Sequence, residues 1–201
     1  MTSPGNNQLN GLILIGGGST RMGIDKSTLQ YHVRNQRDHL IQLLSPICSR
    51  VFISCNEVQA AELGDSYSVL QDIFEGIGPI GGVHAAFEKS PEAAWLVVAC
   101  DLPLLSAGTL SHLISHRQKE KQATAFRSGE NGFPEPLLAI YEPDAFPEIA
   151  LGIQSGQYSP SKILLKMDVA WLDAPDENEL KNVNDPEGYR RTLGEIRSPL
   201  K

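Results

Sequence analysis

Cysteine is scarce in this 201-residue chain: Cys48, Cys55 and Cys100 are three in number, widely spaced and without a CxxC pair. That pattern excludes a disulfide framework or a zinc ribbon and suits a reducing compartment. Long apolar runs are missing too, none approaching the roughly eighteen residues of a membrane span, so insertion in a membrane is not expected. Met1 to Gly11 is polar and has neither the basic start nor the apolar stretch of a secretory leader, and a cytoplasmic location is expected. Basic excess is absent as well. With 17 Lys and Arg against 24 Asp and Glu, the net charge is −7, the wrong sign for a protein that tracks a nucleic-acid backbone.

What is present fits a folded enzyme. Hydrophobic residues make up 41 % and charged residues 20 %, and the length suits a single domain with a real core. Residues 1–37 hold Arg21, Lys26, Arg34 and Arg37 against Asp25 alone, a local charge of +3 that leaves −10 for the remainder. A small basic island on an acidic body suits a compact anion such as a nucleotide or another phosphorylated metabolite.

Short apolar runs alternate with longer amphipathic segments, and no repeat or low-complexity tract interrupts them. Leu12–Ile15, Val51–Ser54, Val69–Leu70, Trp95–Ala99, Ala123–Phe126 and Leu137–Tyr141 read as strands. Helices are expected over Asp38–Leu44, Val83–Lys89, Ala107–His116 capped by Ser106, Ser161–Met167 after Ser159-Pro160, and Glu187–Leu193 after Asp185-Pro186. This βαβ rhythm predicts a three-layer α/β/α fold with a mostly parallel, Rossmann-like sheet. Ligands collect outside the carboxyl ends of such strands. Two segments of interest fall there: the loop after Leu12–Ile15 and the carboxylate of Asp101.

The loop runs Gly16-Gly17-Gly18-Ser19-Thr20-Arg21-Met22-Gly23-Ile24-Asp25-Lys26. Successive N–H groups in such a loop can cradle phosphate oxygens, with arginine and lysine close behind. It is not a Walker A loop, because Ile24 and Asp25 separate Gly23 from Lys26. Nor is it a dinucleotide fingerprint, because Arg21 stands in place of the last glycine. Asp101 in Cys100-Asp101-Leu102-Pro103 either caps a turn or ligates Mg²⁺ alongside substrate phosphates. Charge favours the metal: a terminal phosphate alone brings about −1.5 to −2, and Arg21 and Lys26 supply only two positive charges.

Asp72 either accepts hydrogen bonds from a base or ribose or stabilises a turn. The four glycines of Gly76–Gly82 would let a flat base lie against backbone. Asn182 and Asn184 could orient a substrate, or Asn184 could cap the last helix. Phe133–Leu137 is read as a proline-stiffened loop at the sheet edge, either an acceptor contact or a plain turn. His112 and His116 stand four apart without an HExxH glutamate or a third ligand, which points to a solvated face rather than zinc. Glu92 and Asp144 read as loop acids, Cys100 as a buried strand residue, and Trp95 and Trp171 as core.

Taken together, GGGSTRMGIDK after the first strand, GPIGG, VVACDLPLL and NVNDPEGY resemble, in that order, the nucleotidyltransferases that make molybdenum cofactor guanine dinucleotide. The four blocks span Leu12 to Tyr189. The resemblance implies a nucleotide-diphospho-sugar transferase type of sheet, GTP as donor, Mg²⁺ as cofactor and molybdopterin as acceptor. It places the nucleotide loop on Leu14, Ile15, Gly16, Gly17 and Ser19, and the phosphate lysine on Lys26. Further nucleotide contacts fall on Ser54 and Gly78, the guanosine carboxylate on Asp72, the metal ligand on Asp101 and acceptor contacts on Asn182 and Asn184. The chain departs from the family at Ile15, where alanine is usual, at Gly18, at Ser54, where asparagine is frequent, and over Tyr31–Asp38.

The expected organisation is one nucleotidyltransferase domain over residues 1–201, with a nucleotide-binding part at about 10–105 and an acceptor-binding part at about 106–195. The expected reaction is attack by the acceptor's phosphate on the α-phosphorus of GTP, with Arg21, Lys26 and Asp101 as catalytic residues. Two alternatives stand beside it: transfer from CTP or to another phosphorylated acceptor, and a nucleotide-binding regulatory protein without turnover.

Overall fold

Central parallel strands are buried on both faces and therefore carry near-continuous apolar runs. Two segments meet that description: β1 (Leu9–Leu14) and β4 (Ala94–Ala99), each buried along its whole length. The computed structural model describes residues 8–15, 26–72, 74, 76–129 and 132–197. In it β1 and β4 pair in parallel, Leu14 opposite Ala99. Beyond β1 lie β2 (Val51–Cys55) and β3 (Val69–Gln71), also parallel. On the far side of β4 come β6 (Pro134–Tyr141), antiparallel to it, then β5 (Ala123–Arg127) and β7 (Val169–Leu172). The seven-stranded order is β3-β2-β1-β4-β6-β5-β7, and β6 is the one strand in it that runs against the rest.

Side chains alternate across this sheet into two cores. Ile13, Ile53, Leu96 and Val98 pack under α1 (Gln36–Leu44), α2 (Glu57–Leu63) and α4 (Ala107–Ser115). Leu12, Leu14, Trp95 and Val97 pack under α3 (Pro79–Lys89), α5 (Phe146–Gln154) and α6 (Pro160–Leu164). Two helical layers on one sheet make the expected three-layer α/β/α arrangement. Polar caps start the helices: Asn35, Ser106 and Ser159 accept the N–H of Asp38, Thr109 and Lys162. Asp185 accepts those of Glu187 and Gly188 ahead of α7 (Pro186–Arg197).

Several expectations need correction. α3 begins at Pro79, four residues early, because Gly78 with φ +74° lets the chain turn directly into a helix with proline in its first turn. α6 is shorter than expected and stops at Leu164. Phe133–Leu137 is not an edge loop: from Pro134 onward it is strand β6, inside the sheet between β4 and β5. Its prolines are accommodated where the β5–β6 register shifts between Ala125 and Phe126. Trp95 is fully buried, but Trp171 is only half-buried. Helices α2 and α5 and strand β7 were not expected. At the end of the mixed half remote from the cleft, Arg117 donates from Nε and Nη2 to the two oxygens of buried Glu142, at 2.6 and 2.8 Å.

Candidate active site

Parallel pairing of four neighbouring strands sends four chain reversals to one edge. The tip of β1 is pinned from both sides: the Ile15 N–H donates to Ser54 O at 3.1 Å, and the Cys100 N–H donates to Leu14 O at 3.1 Å. The end of the opening strand and the loop bearing Asp101 are therefore direct neighbours. With strands about 4.8 Å apart, three intervals place Asp72, after β3, roughly 14 Å from Asp101, a span a nucleotide can bridge. Ile15 is 5 % exposed and turns its side chain into the core beneath α1 and α2, so its departure from the family alanine alters packing rather than the cleft. Gly16, Gly17, Ser19 and Arg21 lie outside the described residues.

Lys26 closes the loop and reaches across the cleft. Its Nζ lies 3.9 Å from Asp101 Oδ2 and donates a hydrogen bond to Asn184 Oδ1. Asn184 thus serves Lys26, and Asp185 caps the last helix. The neighbouring Val183 N–H donates to the backbone carbonyl of Asp101 at 2.8 Å, straddled by Asn184 and the exposed Asn182. Asp101 Oδ1 is buried and has no hydrogen-bond partner among the described residues. Burial raises the Asp101 pKa, and Lys26 pulls it back. A desolvated carboxylate oxygen without a donor is costly, and a divalent cation is the group that would satisfy it. The residues present therefore fit a divalent cation, and Asp101 is the side chain that would hold it.

Asp72 accepts the Phe74 N–H at 3.0 Å, the turn-stabilising role, and burial raises its pKa as well. Its carboxylate lies against α3: a Cβ on Gly81 would fall 2.4 Å from Asp72 Oδ1, and one on Gly82 would fall 2.2 Å from Ser54 Oγ. Two of the four glycines are thus needed so that α3 can approach β2 and β3, and protein rather than a flat base occupies the space beside them. Ser54, 4 % exposed, lies under the first turn of α3. Gly76 and Gly78 adopt left-handed φ values of +80° and +74°, and beyond their own chain neighbours no atom of the described residues lies within 4 Å of where their Cβ would be.

Sequence reasoning missed the residues that hold this site from behind. Gln36, fully buried, donates to Leu102 O at 3.2 Å, and a ring nitrogen of His32 lies 2.9 Å from Pro103 O. The Tyr31–Asp38 segment that departs from the family thus clamps the loop after Asp101. Glu135 was also missed as an ionisable group. Its pKa is raised to about 7, chiefly by burial, with the charge of Asp101 adding to the effect against the Leu137 N–H. Only their neighbours in the fold distinguish these residues from ordinary polar positions. His112 and His116 lie with ring centroids 4.2 Å apart at the C-terminal end of α4, and among the described residues no three His, Cys, Asp or Glu side chains group to hold an ion. Nor, among them, is any helix long and apolar enough to cross a membrane.

The sequence and the fold are similar to those of known proteins. A family model described as a MobA-like NTP transferase domain matches residues 11–169. A Synechocystis molybdenum cofactor biosynthesis bifunctional protein is 32 % identical over 90 % of the chain, and the chain spans about half of that protein, 52 % of its length. A Pseudomonas putida molybdenum cofactor guanylyltransferase is 30 % identical, covering 88 % of this chain and 93 % of its own. Among solved structures, molybdopterin-guanine dinucleotide biosynthesis protein A from Archaeoglobus fulgidus superposes with a TM-score of 0.79 at 25 % identity, covering 95 % of this chain and all of its own.

Proposed function

The chain belongs to the MobA-like NTP transferase family, and from that premise we propose that it transfers GMP from GTP to the phosphate of molybdopterin, releasing pyrophosphate. The observation that carries the reading is the meeting of Lys26, Asp101 and Asn184 at the shared strand edge. An acceptor phosphate oxygen attacks the α-phosphorus, the new P–O bond forms, and the bond to the β-phosphate oxygen breaks with its electron pair leaving on pyrophosphate. The attacking phosphate is already an anion, so no protein nucleophile is needed and the work is alignment and charge stabilisation.

Lys26 stabilises charge gathering on the departing pyrophosphate. At about 4 Å and an effective dielectric near 20, one such contact is worth roughly 4 kcal/mol before desolvation, too little to balance a triphosphate. Asp101 would hold Mg²⁺, which supplies the remaining neutralisation when bound. Arg21 and the backbone of Leu14, Ile15, Gly16 and Gly17, with Ser19, would cradle the phosphates. Asp72 and Gly78 would receive the guanosine, and Ser54 would support that wall. Asn182 and Asn184 would meet the acceptor. This divides the labour between a nucleotide part at about 10–105 and an acceptor part at about 106–195.

Calorimetric titration with Mg²⁺-GTP and Mg²⁺-CTP tests the donor. Tighter binding of GTP is expected, lost when magnesium is chelated, and a clear CTP preference overturns the guanylyl assignment.

A further inference from the structure

Strand β5 ends in Arg127. Because β4 and β5 both run antiparallel to β6, this arginine reaches the same sheet edge as Asp101, two strand intervals or roughly 10 Å along it. Its guanidinium carbon lies 4.1 Å from the centroid of the Trp171 ring, which is itself partly buried against the core under α3, α5 and α6. Among the described residues the buried Nε has no hydrogen-bond partner and no carboxylate forms a salt bridge with the side chain. Arg117 and Arg37 differ: Glu142 fills the fork of the first, and Asp38 and Tyr67 engage the second. An arginine oriented by an indole instead of an acid keeps its whole charge and its planar donors for a ligand. Phe133, next to the residue that faces Arg127 across the ladder, is 69 % exposed at this end.

We infer that Arg127, held flat by Trp171, anchors the heteroaromatic end of the acceptor by donating hydrogen bonds to its ring lactam carbonyl. This rests on the guanylyl-transfer reading. That reaction requires the acceptor's phosphate to lie beside Lys26 and Asp101, so the ring must extend along the edge, and the direction away from the nucleotide leads over β6 to β5. A flat ring with a carbonyl on its rim is the kind of ligand a preorganised guanidinium recognises, and a bare ammonium matches it less well.

The test uses the full chain, measuring pyrophosphate release with molybdopterin as acceptor and Mg²⁺-GTP affinity by calorimetry. In Arg127→Ala the KM for molybdopterin is expected to rise about tenfold or more while GTP affinity changes by less than about twofold. Arg127→Lys should restore little of the loss, and Trp171→Leu should give an intermediate rise. An unchanged molybdopterin KM in the Arg127 variants overturns the inference, and so does full rescue by lysine, which would reduce the effect to charge alone. Should Arg127→Ala fail to fold, Arg127→Lys and Trp171→Leu carry the same readouts. Wild-type protein that binds GTP but releases no pyrophosphate with molybdopterin defeats the guanylyl-transfer reading and this anchor with it. Normal wild-type turnover with unaltered variants defeats the anchor alone.

Discussion

On one side of β4, strands β1, β2 and β3 run parallel and bring Ile15, Ser54 and Asp72 to the edge that carries Asp101. On the other side, β6 runs against its neighbours, its register with β5 shifts, and the residues at the edge are Glu135, Arg127 and the half-buried Trp171. The parallel half repeats one geometry at each tip, as expected of a site that receives a ligand of fixed shape, the nucleotide. The mixed half is irregular, and its irregularities bring Glu135 and Arg127 to the edge, neither in a salt bridge among the described residues. On the proposed reading, regular pairing would build the donor site, and departures from it would make room for the acceptor.

The largest expected effect tests whether chemistry resides in the parallel half. Asp101→Ala should reduce turnover on the order of 10³-fold, by analogy with the loss of a preorganised electrostatic group, with thermal unfolding close to wild type. Turnover within a few-fold of wild type in the folded variant would break the contrast between halves.

A smaller effect tests how tightly the parallel tips are assembled. Gly82→Ala gains helix propensity of about 1 kcal/mol, but the new Cβ would meet Ser54 Oγ at 2.2 Å and Leu14 Cδ2 at 2.9 Å. Overpacking of this kind costs typically 1–3 kcal/mol. Urea denaturation should show a net loss of up to about 2 kcal/mol, together with weaker GTP binding. A more stable variant would mean that α3 is free to lift from the sheet.

The smallest effect probes the mixed half. Glu135 has a carboxyl raised from 4.5 to about 7, so the folded chain binds its proton more tightly than the unfolded chain does. The contribution is unfavourable once Glu135 ionises: stability is unaffected below pH 4.5, falls as pH rises from 4.5 towards 7, and is lower by a constant amount above that. Glu135→Gln keeps the oxygen that accepts the Leu137 N–H and should flatten this slope, adding on the order of 1–2 kcal/mol at pH 8. Parallel stability profiles for the two proteins between pH 4.5 and 8 would rule this out.

Strands were legible in the sequence in both halves: Leu12–Ile15, Val51–Ser54, Val69–Leu70 and Trp95–Ala99 on the parallel side, Ala123–Phe126 and Leu137–Tyr141 on the mixed side. Buried parallel strands announce themselves as apolar runs, and the caps at Ser106, Ser159-Pro160 and Asp185-Pro186 are local signals, so the elements around Asp101 and the last helix were foreseeable. The site residues there lie within short motifs. By contrast, β7 has only four residues, of which only Ala170 is buried, and α2 and α5 are short stretches that composition does not separate from loops. Two prolines hid only the start of β6, expected from Leu137, and tertiary pairing carries the strand back to Pro134. Gln36, His32 and Arg127 owe their positions to contacts 66, 71 and 44 residues away and Glu135 to its place in a ladder, which no local pattern encodes. Trp171, Asn182 and Asn184 fall past residue 169, where the family match ends.

The bond from Lys26 to Asn184 joins residues 158 positions apart, and Val183 holds the Asp101 carbonyl beside it. Chains emerge from the ribosome in order and begin folding from the N-terminal side. The first βαβ units can therefore form early, while the cleft stays unfinished until translation has passed position 184. A nascent chain can acquire most of its sheet before it has a completed catalytic centre, and shortened products of interrupted synthesis would lack one altogether.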